Sequence, residues 1–170
     1  MKKCINEMKL SFSAVSENEA FSRACVSSFT ALLDPYISEL AELKTAVSEA
    51  VTNCIVHAYR GQQRGTVWIH MRLYSDRRVY IKIRDKGCGI DDIDRAMQPL
   101  FTTAPEEERA GLGFAVMESF TDRLRVRSSR QRGTTVVMEK TLSEKEKDGY
   151  TDLQDTAAGG RELRAGTSLC

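Results

Sequence analysis

Leu40-Ala-Glu-Leu43-Lys-Thr45-Ala-Val47-Ser-Glu49-Ala50-Val51-Thr-Asn53-Cys54-Ile-Val-His57-Ala58-Tyr59 is the stretch on which the fold reading turns. Leu40, Leu43, Val47, Ala50, Val51, Cys54 and Ala58 recur at helical spacing and form one apolar stripe, so a helix is expected from about Ser38 to Tyr59. Glu49, Asn53 and His57 stand four apart beside that stripe and stack along one face. A polar row next to a core stripe borders the cleft between a helix and whatever it packs against. Spacing alone favours an ordinary solvated face.

Working outward, Met8, Leu10, Phe12 and Ala14 alternate with polar residues, as a half-buried strand does. Ser16 followed by Glu19 reads as a capping box opening a helix to about Leu33, ended by Asp34-Pro35. Downstream, Val67 to Leu73 and Val79 to Ile83 alternate around Ser75-Asp76-Arg77-Arg78, which reads as a hairpin. A loop-rich stretch then carries a short helix near Ile93 to Met97. A helix starting near Gly113 follows, and two strands around Leu124–Val126 and Gly133–Met138 complete the order. Hairpin-linked strands with segregated helices imply an α+β sandwich, with helices on one face of a mixed, mainly antiparallel sheet. Arg123, Arg125 and Arg127 alternate with Leu124 and Val126, the pattern of a strand's wet face. From about Ser143 large apolar residues become rare. Residues 143–170 are therefore expected to be a polar, disordered tail behind a domain of residues 1–142.

Two glycine-bearing segments follow the long helix. Asp85-Lys86-Gly87-Cys88-Gly89-Ile90 comes directly after a strand, where a carboxylate can accept a ligand amine and glycines let the backbone turn close to it. Gly111-Leu112-Gly113 opens a helix, where bared N–H groups favour anions. Each alone is also an ordinary glycine turn. There is no G-x-x-x-x-G-K-[ST] segment, and Gly111-x-Gly113-x-x-Val116 lacks the third small residue of a dinucleotide fingerprint.

Composition bounds the function. The 170 residues suffice for one domain, and a net charge of +1 speaks against nucleic acid as the main partner. Five cysteines without C-x-x-C spacing read as reduced thiols, and His57 and His70 have no zinc-like partners. No stretch reads as a membrane span or signal peptide, so the chain is expected to be cytoplasmic.

Taken in order, the Glu49-x-x-x-Asn53 helix, the Asp85-x-Gly87-x-Gly89 turn, Gly111-x-Gly113 and Gly133-Thr134-Thr135 resemble the N, G1, G2 and Gly-Thr boxes of the GHKL (Bergerat-fold) ATPases. Thr45 to Asn53, His57-Ala58-Tyr59, Ile83-Arg84-Asp85, Gln98 to Thr103 and Gly111 to Phe114 are similar more narrowly to the anti-sigma F factor serine kinases of endospore-forming bacteria, over about Asn6 to Leu142. The resemblance implies an ATP-dependent protein-serine kinase. Such a protein sequesters a sporulation sigma factor and phosphorylates a serine on its anti-anti-sigma antagonist, as a homodimer. It implies that Asn53 holds Mg²⁺, that Glu49 is the general base, and that Asp85, supported by Thr134, accepts the adenine amine. Gly87 and Gly89 then make room for ATP, and Gly111 and Gly113 cradle phosphates. Thr102, Thr103 and Arg109 belong to a lid over residues 99–110, and Arg23 lies on the partner-binding surface. Two alternatives stay open: the kinase of the general stress (sigma B) switch, and an ATP-binding sequestering module without kinase activity.

Overall fold

The computed structural model describes residues 2–60, 65–98, 111–130 and 132–145. Strand β1 (Cys4–Ser13) leads into α1 (Glu17–Ala31) and α2 (Ile37–Asn53), which widens into a π-helical segment, Cys54–Ala58. The hairpin β2 (Thr66–Tyr74) and β3 (Arg78–Arg84) comes next, then α3 (Ile93–Ala96) and α4 (Gly113–Ser119). The strands β4 (Arg123–Ser129) and β5 (Gly133–Thr141) close the order.

The strands form one sheet in the order β1-β2-β3-β5-β4. All four pairings among the described residues are antiparallel, the orientation expected to dominate the sheet. Two of these pairings, β2–β3 and β4–β5, are short-loop hairpins, and β5 inserts beside β3 in the opposite sense. Alternation decides the faces. Val67, Ile69, Met71 and Leu73 of β2, with Val79, Ile81 and Ile83 of β3, point into the core. They meet Leu43, Ala46, Val47, Ala50 and Val51 of α2, with Val26 of α1 and Met117 of α4. Burial of each such side chain contributes about 1.5–3 kcal/mol. The arginines at 123, 125 and 127 of β4 are exposed, as their alternation implies.

One local expectation fails for a physical reason, and a second can be compared with the structure only at residues 143–145. Helix α1 opens at Glu17, but Ser16 has helical dihedrals (φ −58°, ψ −34°) and its side chain makes no capping bond. A capping side chain needs an extended backbone to fold back on the first turn. The Glu19 carboxylate is used elsewhere: it accepts from Arg23 Nη1 and Ser48 Oγ, both at 2.6 Å, and joins α1 to α2. The second concerns the tail. Ser143 N–H donates to the buried Glu39 carboxylate at 2.7 Å, and Leu142 is itself buried, so the chain stays anchored to the body through residues 142–145. Residues 146–170 lie outside the described residues.

Candidate functional site

The site is assembled where α2 ends. Its last turn widens into the π segment, and that segment is knitted to the turn after β3. Cys88 N–H donates to Ala58 O at 2.7 Å, and Lys86 N–H donates to Tyr59 Oη at 2.9 Å. The Tyr59 hydroxyl in turn donates to Thr66 O at 2.6 Å. Gly87 is pressed against this junction, where a Cβ would come 1.9 Å from Ala58 O. Gly87 is absent from the wall of the cavity beside it. The glycine expected to make room for a ligand makes room for Ala58.

Asp85 follows β3 directly and is 2% exposed. Its Oδ1 accepts from Gly87 N–H at 2.8 Å and Thr134 N–H at 3.0 Å. Among the described residues its Oδ2 receives the weak Cys54 thiol, at 3.7 Å. Burial pushes that thiol far above its ordinary pKa, and the neighbouring Asp85 charge adds to the effect, so Cys54 stays a protonated donor. An ionised carboxylate accepts at about four lone-pair positions. Oδ2 therefore keeps acceptor capacity toward a cavity of about 510 Å³ that Asp85 lines together with Asn53, Gly89, Gly111, Gly113 and Thr134.

Asn53 lines this space, and Glu49 and Asn53 both lie close to Gly113. A Cβ built on Gly113 would stand 3.1 Å from Glu49 Oε2 and 3.7 Å from Asn53 Oδ1. Both polar groups of α2 thus converge on the start of α4, where the first N–H groups of a helix lack intrahelical partners. His57 lines the same cavity. Arg23 lies apart from the cavity, bonded to Glu19 and to Ser48 Oγ at 3.1 Å. Thr102, Thr103 and Arg109 lie outside the described residues.

The histidine kinase-like ATPase domain family matches residues 13–140. The anti-sigma F factor of Bacillus subtilis (strain 168) is 54% identical over 138 residues, covering 81% of this chain and 94% of that protein. The anti-sigma F factor of Priestia megaterium is 51% identical over the same length and shares of the two chains. This chain belongs to the anti-sigma F factor family. Solved structures show the same fold. One holding the RsbU and RsbW domains of a Mycobacterium tuberculosis protein superposes with a TM-score of 0.61 at 20% identity, over 82% of this chain. This chain spans 33% of that longer one. The mycobacterial sensor histidine kinase MprB gives 0.50 at 17% identity, over 79% of this chain and 98% of that one.

In this anti-sigma F factor family member, the donors near Gly113 fit a magnesium-bound polyphosphate. An amide oxygen and a carboxylate are hard donors, and Mg²⁺ takes few protein ligands beside phosphate oxygens and water. Among the described residues no helix is long and apolar enough to cross a membrane. The alternation reading passed over one residue that matters. Ser128 sits opposite Thr134 in the β4–β5 register, with its oxygen 2.8 Å from Thr134 Oγ1. The signal was present: Leu124, Val126 and Ser128 share the inward phase of β4, and a polar residue on an inward phase needs a partner.

Proposed function

We propose that this chain is a cytoplasmic, homodimeric anti-sigma factor and ATP-dependent protein-serine kinase. On this reading it holds a sporulation sigma factor inactive and phosphorylates a serine on the anti-anti-sigma antagonist. The observation that carries the reading is one cavity lined by a buried, pre-oriented carboxylate at Asp85 and by Asn53 and Gly113, with Glu49 close against Gly113 at the start of α4. The family name, anti-sigma F factor, supports the sigma partner.

Asp85 Oδ2 accepts the exocyclic amine of adenine, and Thr134 supports the same edge. Backbone N–H groups at Gly111–Gly113 would hold the phosphates, and the Asn53 amide oxygen would hold Mg²⁺. Mg·ATP, when bound, supplies the phosphoryl group with its clustered charge partly neutralised. Glu49, one helical turn before Asn53, orients the substrate serine and accepts its hydroxyl proton. Arg23 and the lid residues Thr102, Thr103 and Arg109 complete the proposed contacts to partner and phosphates.

The test is Glu49→Gln. Mg·ATP affinity by calorimetry should stay within about threefold. Transfer of label from ATP to the anti-anti-sigma protein should fall by at least about a hundredfold. Unchanged transfer overturns the base assignment. A wild-type chain that binds the sigma factor and ATP but labels no serine overturns the kinase and leaves a sequestering module.

A further inference from the structure

On the face of the sheet turned away from the helices, the pairing register sets side chains in rows. One row runs Lys9, His70, Lys82, Val137, Arg125 across β1, β2, β3, β5 and β4. The next runs Ser11, Trp68, Arg84, Thr135, Arg127. These two rows hold lysines and arginines at five positions and no acid. Lys86, just beyond β3, adds a further cation, its ammonium 5.3 Å above the Trp68 ring. Lys9, Trp68, His70, Lys82, Arg84 and Lys86 line a groove of about 340 Å³, and none of them lines the cavity at Asp85.

The row beyond carries the acids Glu7 and Glu139, and both are engaged: Glu7 with Lys9 and His70, Glu139 with Arg78. Among the described residues Lys82, Arg84, Arg125 and Arg127 have no ion-pair partner. Like charges on neighbouring strands repel. The chain's net charge is only +1, so the excess is a local field of this face and not a property of the whole molecule. An anion that covers the face relieves the repulsion.

Strands stand about 4.8 Å apart, so the four steps from β1 to β4 make each row about 19 Å long. An extended polypeptide of about six residues spans that length. A second copy packed by twofold symmetry would set these cations against themselves. Single-stranded nucleic acid binds by stacking bases on open aromatic rings. Here Lys86 covers Trp68, Arg78 lies 4.0 Å over the Tyr74 ring, and Tyr80 meets His70 edge-on. We propose that the two cationic rows form a docking surface for an extended acidic polypeptide segment of a partner protein, separate from the cavity at Asp85.

Trp68 is the chain's only tryptophan, so its fluorescence reports the groove directly, in the full chain and without nucleotide. The probe is an oligoglutamate of about eight residues, with oligoglutamine as the uncharged control. Oligoglutamate should change Trp68 emission saturably. Raising salt from about 50 to about 300 mM should weaken binding by about fivefold or more. Arg125→Gln with Arg127→Gln should weaken it about tenfold, although both lie outside the groove. Lys3→Gln with Lys44→Gln removes equal charge away from the rows and should leave affinity within about twofold. No saturable response, a matching response to oligoglutamine, or an equal loss in both double variants overturns the proposal. Should urea curves show the arginine pair unfolded, Lys82→Gln against Lys44→Gln makes the same comparison. Mixed-sequence single-stranded or duplex DNA that binds about tenfold tighter than oligoglutamate overturns the choice of partner. Self-association in sedimentation that the arginine pair abolishes overturns it too, in favour of a second copy.

Discussion

At Gly87 the backbone of one turn meets the backbone of another. A methyl group there would overlap Ala58 O at 1.9 Å, against main chain that cannot rotate aside. Relief requires the junction between the π segment and the turn after β3 to open, which disturbs the Cys88 to Ala58 bond and the Gly87 bond to Asp85. Gly87→Ala should therefore lower stability by about 3 kcal/mol or more, read as a shift in urea midpoint. It should also weaken Mg·ATP binding by loosening Asp85. A variant with wild-type stability and affinity would show that this packing is dispensable. The same carboxylate shows why a residue reading reaches only part way. Its place after a strand marked Asp85 as a candidate. That Oδ1 is held by two backbone donors while Oδ2 stays open depends on Thr134, 49 residues away in the chain.

Among the elements, the start of α2 and the end of β5 share one carboxylate. Glu39 accepts from Tyr36 N–H at 2.9 Å and from Ser143 N–H at 2.7 Å. Burial pushes its carboxyl up, but the backbone bonds from Ser143 and Tyr36 outweigh that and hold it below the ordinary value of 4.5. A carboxyl lowered in the folded state binds its proton more weakly there than in the unfolded chain. Its contribution to stability is therefore complete above about pH 4.5 and is lost as pH falls through the lower folded value. Glu39→Gln should lose stability at pH 7, and its stability should fall less than that of wild type between pH 5 and about pH 3. Parallel urea curves for both proteins across that range would remove Glu39 from the acid response. At this scale the alternation of β2, β3 and β4 was legible, because strand period depends only on neighbouring residues. The Ser16–Glu19 capping box was misread, because a pattern cannot show that Glu19 has better partners in Arg23 of its own helix and Ser48 of α2.

For the whole molecule, the family match ends at residue 140, while the anchored chain continues to Lys145. We take residues 1–142 as the ATP-binding unit, with the anchored segment as its closing tie. A chain ending after Lys145 should bind Mg·ATP within twofold of the full protein by calorimetry. One ending after Thr141 loses the buried Leu142 and the Ser143 donor to Glu39. It should be about 3 kcal/mol less stable. Equal stability of the two truncations would show that the tie contributes nothing.

Period and order were readable from the chain itself. The alternating strands, the long helix with Glu49 and Asn53 on one face, and the glycine segments at element ends are all local patterns, and local sterics and solvation enforce them. What only the tertiary structure decided was which groups meet. Gly87 packs under Ala58, Ser128 bonds Thr134 and Ile90, and Glu49 and Asn53 close on Gly113. Gly87 and Ala58 are 29 residues apart, Glu49 and Gly113 are 64 apart, and the β3–β5 pairing brings Thr134 to Asp85 across 49, and no local pattern encodes meetings between such distant segments.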